Sequence, residues 1–142
     1  MSTKVIPGVS AGQVALSMSR EEVRAVLGAP DHEDDKRPWS ADVEWVYTTK
    51  GTTAIFDRTG ICVAVVLGRR SDPVLSGIRL LGVAASVAWQ LLRRLDPGAI
   101  AEDNSLRSPK LGVSIHAPDI VDEPSEPAES VLVYRSDYYD SE

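Results

Sequence analysis

The chain has 142 residues, of which 43% are hydrophobic and 25% charged, with a formal net charge of −6. That length and balance describe one globular domain, or two small halves sharing a core, and exclude a disordered chain. An acidic surface repels phosphate backbones and no apolar run reaches membrane-spanning length, so neither nucleic acid nor membrane is expected as a partner.

The N-terminal MSTKVIPGVSAG lacks the long apolar core of a secretory signal, which makes a cytoplasmic location the expectation. The first strongly marked element is SMSREEVRAVLGAP, residues 17–30. Ser19 and Glu22 have the spacing of a capping box, Met18, Val23, Val26 and Leu27 share one helical face, and Gly28 and Pro30 close the helix. A charged loop, DHEDDKRP, follows. VEWVYTT (43–49), TTAIFD (52–57) and ICVAVVL (61–67) then read as three strands joined by turns at Lys50-Gly51 and Arg58-Thr59-Gly60. The third is apolar on both faces and should be central. It holds Cys62, the sole cysteine, so an intramolecular disulfide and a CxxC metal site are excluded and a buried core thiol is expected.

The polar GRRSDP (68–73) breaks this pattern. GVAASVAWQLLRRLDPG (82–98) reads as a second amphipathic helix, with Val83, Val87, Leu91 and Leu95 on its stripe, widened by Ala88 and Leu92. LGVSIHA (111–117) and SVLVYRS (130–136) read as strands, AIAEDNSL (99–106) as a weakly marked one, and APDIVDEPSEPAE between them as an extended solvated loop. Residues 137–142 read as a flexible tail.

Met18, Val23, Val26 and Leu27 map onto Val83, Ala88, Leu91 and Leu92 at a constant offset of 65. The expected architecture is therefore α+β: one domain over 1–142, made of two α-β repeats (6–67 and 74–136), with helices packed on one face of a single antiparallel sheet.

Met18, Val23, Leu27, Gly28, Pro30, Tyr47, Phe56, Asp57 and Gly60 stand in a pattern that resembles the bacterial SmpA/OmlA module. A tandem version is similar in plan to the β-lactamase inhibitor protein fold. The resemblance covers residues 6–67 well and the second half loosely. It implies a protein-binding role without catalysis. The lipidated cysteine of the one relative and the disulfides of the other have no counterpart, and no enzyme-blocking loop is matched. A cytoplasmic immunity or inhibitor protein that neutralises a partner, such as a basic toxin, fits these departures. An assembly or scaffold subunit is the second expectation, and a metal-dependent hydrolase the third.

Gly8-Val9-Ser10-Ala11-Gly12 matches the nucleophile-elbow pattern, but Ser10 lacks the strand before it and the helix directly after it that such chemistry needs. Asp31, His32, Glu33, Asp34 and Asp35, with His116, offer ligands for a hydrolase metal, yet consecutive loop residues rarely converge on one ion, so no metal or cofactor is expected. Trp45 and Tyr47 share one face of their strand, with Trp39 before it and Tyr134, Tyr138 and Tyr139 at and beyond the last strand. Trp39, Trp45, Tyr47 and Tyr134, flanked by Asp31, Glu33, Asp34 and Asp35, form the expected partner-binding set, because exposed aromatics on a rigid sheet anchor interfaces. The alternative is that Trp45 and Tyr47 face the core.

Overall fold

The computed structural model describes residues 2–34, 43–102, 104–118 and 120–135. In chain order they form β1 (Thr3–Ile6), β2 (Ser10–Ala11), β3 (Val14–Ala15), α1 (Arg20–Leu27), β4 (His32–Asp34), β5 (Val43–Tyr47), β6 (Thr52–Phe56) and β7 (Cys62–Leu67). A 3₁₀ turn (Arg69–Ser71) leads to β8 (Pro73–Leu75), β9 (Ile78–Arg79), α2 (Ala85–Leu95), β10 (Ile100–Glu102), β11 (Ser105–Ser108), β12 (Val113–His116) and β13 (Ser130–Tyr134). The fold is α+β with mostly antiparallel pairing.

The strands form two sheets where one was expected. The larger has eight strands in the order β10-β11-β12-β13-β7-β6-β5-β4, all antiparallel; the smaller has five, β3-β2-β1-β8-β9. The apolar β7 is central, between β6 and β13. In the small sheet β1 lies parallel to β8, pairing Thr3 with Pro73 and Lys4 with Val74. The Thr3 N–H donates to Asp72 O at 2.9 Å and its hydroxyl to Ser71 O at 2.6 Å. The polar stretch 68–73 is thus stitched to the N-terminus rather than left as a free boundary.

Helix α1 starts where its caps dictate. Ser19 Oγ accepts from Glu22 N at 3.2 Å, and Glu22 Oε1 accepts from Ser19 N at 3.1 Å. Gly28 ends it at φ 84 and ψ −167, a conformation open to glycine but outside the left-handed helical region of the usual glycine cap. Val23 is fully buried, whereas Val26 is exposed and Leu27 half-buried, so the apolar face is narrower than the spacing suggests. On α2, Ala85, Ala88, Leu91 and Leu92 are buried, while Val87 points to solvent.

Three more readings need correction. His32–Asp34 is not loop but an edge strand on β5, pairing His32 with Val46 and Glu33 with Trp45. AIAEDNSL supplies two paired strands, β10 and β11. The 117–129 segment is exposed over much of its length, yet it completes α2, whose first residue has Ala84 as N-cap and no side-chain cap. Glu126 O accepts from Ala85 N at 2.8 Å and Pro124 O from Ser86 N at 3.1 Å, satisfying donors that a helix start leaves free.

The main core joins residues from both helices, the small sheet and alternate positions of the large one: Val14, Val23, Phe56, Val65, Leu67, Leu92, Ile115, Val131 and Val133 among them. A second, smaller cluster holds Ile55, Val63, Ala64 and Tyr134. It lies on the opposite face of the large sheet, where Ile55 pairs with Ala64 and Ala64 with Tyr134, and Val66 and Leu132 pack against it. A register shift adds Val63: Ile55 faces Ala64 but Phe56 faces Cys62, leaving Val63 as the extra residue of a bulge.

Candidate functional site: the outer face of the large sheet

Strand alternation divides the large sheet into two faces, and register decides which side chains share each. One line across it runs Glu33, Trp45, Ala54, Val65, Val133, Val113 and Ser108, each the partner of the next. A second runs Tyr47, Thr52, Leu67, Val131, Ile115 and Leu106. These residues contribute the main core, so this is the inner face.

Trp45 and Tyr47 therefore face inward, each 3% exposed. The Trp45 ring meets Phe56 edge-on at 4.9 Å, and the Arg24 guanidinium lies 5.1 Å from the Trp45 centroid. Tyr47 donates its hydroxyl to Gly28 O at 2.9 Å, tying β5 to the end of α1. Burial pushes the Tyr47 hydroxyl above its ordinary pKa, against the opposing pull of Arg24. Tyr134 is 1% exposed and donates to Ser108 O at 3.1 Å. None of the three rings is open to a partner. The expectation of aromatic anchors at these positions fails for a physical reason: each ring is used to close the fold. Trp39, Asp35, Tyr138 and Tyr139 lie outside the described residues.

Among the described side chains, Asp31 and Glu33 are engaged separately. Asp31 Oδ2 accepts from Thr48 N at 2.6 Å, which fastens the start of β4 to the end of β5. Glu33 reaches toward Arg24 on the inner side, 4.0 Å away. Asp34 belongs to β4 by its backbone. Among the described residues no group of three or more His, Cys, Asp or Glu side chains is placed to hold a metal ion. Ser10 sits inside β2, after a hairpin turn from β1, and not at a strand-to-helix elbow.

The opposite face presents Val46, Thr53, Val66 and Leu132, which the sequence reading passed over, together with His32 and His116, which it weighed only as metal ligands. The register line His32, Val46, Thr53, Val66, Leu132, Ser114, Arg107, Ile100 crosses all eight strands. Val46, Thr53, Val66 and Leu132 at its centre are half-buried, while His32 and Ile100 at its ends are exposed. Beside it runs a polar line of Glu102, Ser105, His116 and Ser130. Arg107 Nη2 bonds Glu102 Oε1 at 2.8 Å, and Ser105 Oγ lies 3.2 Å from His116 Nδ1. The line thus has an aliphatic middle with hydrogen-bonding flanks. The signal was in the sequence as the residues between the aromatics: whatever side Trp45 and Tyr47 take, Val46 takes the other.

Neither a known family model nor any curated protein or solved structure matches the chain.

Proposed function

We propose that this chain is a non-enzymatic protein-binding module of tandem SmpA/OmlA-like plan, acting as an inhibitor or immunity protein that covers a partner with the outer face of its large sheet. The observation that carries the reading is the half-exposed line Val46, Thr53, Val66 and Leu132, flanked by polar side chains. The two halves are related copies, and their helices lie on one face of the large sheet. What supports the duplication is strand order: β4 to β7 run inward from one edge and β10 to β13 inward from the other. Gly51 and Gly112, at φ 62 and 68, stand just before β6 and β12. A net charge of −6 favours a cationic partner, through faster encounter more than through affinity.

The test uses Val46→Lys and Leu132→Lys, with Arg93→Glu on the exposed side of α2 as control. Each is checked by thermal melting, then titrated against a partner purified with the wild-type protein. Loss of binding by folded outer-face variants, with the control unaffected, supports the reading. Folded Val46→Lys and Leu132→Lys proteins with wild-type affinity overturn it.

A further inference from the structure

The N-terminal hairpins, the 3₁₀ turn and the β5–β6 turn enclose a recess of about 260 Å³. Its exposed lining includes Ser2, Gln13, Lys50 and Arg70, and its buried lining includes Ala11 and Val14. Both charged side chains that line it are cations, and no carboxylate does. Among the described residues, no ion pair engages Lys50 or Arg70.

Two cations twenty positions apart in sequence line one recess because of Gly51. At φ +62, a Cβ on Gly51 would lie 2.7 Å from Arg70 Cβ and 2.8 Å from Ser71 N. The missing side chain lets the β5–β6 turn close onto the 3₁₀ turn, where Gly68 N donates to Gly51 O at 2.8 Å. Thr3 holds the other wall through its bond to Ser71 O. Like charges set on one recess repel, and in a chain of net charge −6 they form a local reversal of field.

We propose that this recess binds a small, phosphate-sized oxyanion. The Arg70 guanidinium offers a planar fork to two oxygens, the Lys50 ammonium a point charge to a third, and the Gln13 amide a neutral donor. A recess of about 260 Å³ has room for a phosphate, free or carried on a small metabolite. The site is independent of the docking face, and failure of one leaves the other standing.

The experiment is a titration of the full chain with inorganic phosphate at constant ionic strength, read by amide chemical shifts, with chloride as reference. Saturable shifts at Gln13, Lys50, Gly51 and Ser71 are expected. Lys50→Gln and Arg70→Gln, both at exposed side chains, should each weaken binding at least tenfold while leaving the melting temperature unchanged. Glycerol phosphate is the second arm: tighter binding than inorganic phosphate assigns the site to a metabolite-borne group, weaker binding to the free ion. Shifts that never saturate, that match those caused by chloride, or that survive both substitutions overturn the proposal.

Discussion

Replacing Trp45 by alanine separates a core ring from a binding ring, and the structure sets the size of the effect. The side chain is 3% exposed and packs edge-on against Phe56 at 4.9 Å, with Arg24 stacked at 5.1 Å. Removing a buried aromatic costs ~3–5 kcal/mol in transfer and cavity terms. The aromatic pair adds ~0.5–1.5 kcal/mol of coupling, which a double-mutant cycle with Phe56→Leu isolates. A domain of this size has roughly 5–15 kcal/mol in total, so about a fifth or more of its stability is at stake. At about 3 °C per kcal/mol, the melting temperature should fall by about 9–15 °C. Urea denaturation followed by far-ultraviolet circular dichroism is the assay, because three tryptophans complicate fluorescence. A denaturation midpoint equal to that of the wild type would refute the placement of Trp45 in the core. Any partner-binding defect of this variant must be measured under conditions where it is folded.

Ser19→Ala should cost ~0.5–2 kcal/mol, since it removes the acceptor for Glu22 N; calorimetric melting checks this. Leu92→Ala, at a fully buried position, should cost ~2–5 kcal/mol, and Leu27→Ala, at a half-buried one, clearly less; equal losses in urea would contradict the burial assigned to the two helices. Burial pushes the Cys62 thiol up to about 11 from the ordinary 9.0. The unfolded chain ionises first, so this contribution holds below pH 9 and is lost as pH rises toward 11, by at most ~1.4 kcal/mol per pH unit. Cys62→Ala should flatten that part of the stability profile, and the folded wild type should resist thiol reagents; rapid modification without unfolding would count against a buried thiol.

What was legible in the sequence was whatever local chemistry decides. The start of α1 follows from Ser19 and Glu22, three residues apart, and the β5–β6–β7 meander from β-branched runs broken at Gly51 and Gly60. The small sheet was not legible, because β2 and β3 are two residues long and β1 finds its parallel partner β8 some seventy positions away. No window of sequence contains that pairing. Alternation put Trp45 and Tyr47 on one face of β5 but could not say which face, so core and interface stayed open until register joined them to Val65 and Leu67. The role of 117–129 did leave a trace. Helix α2 opens on Gly82-Val83-Ala84 without a side-chain cap, so its first donors needed carbonyls from elsewhere.

Strand order also bears on how the molecule assembles. The last strand described, β13, is inserted at the middle of the large sheet, between β12 and β7. Until residues 130–134 are available, β7 is therefore an edge, and its sequence CVAVVL is apolar, uncharged and free of proline and glycine. Such an edge is a template for strands of other chains. During synthesis the α1–β7 half emerges with its self-sufficient helix cap and then waits through more than sixty residues for the strand that closes it. A nascent or C-terminally truncated chain thus exposes an apolar strand edge that β13 covers once it docks.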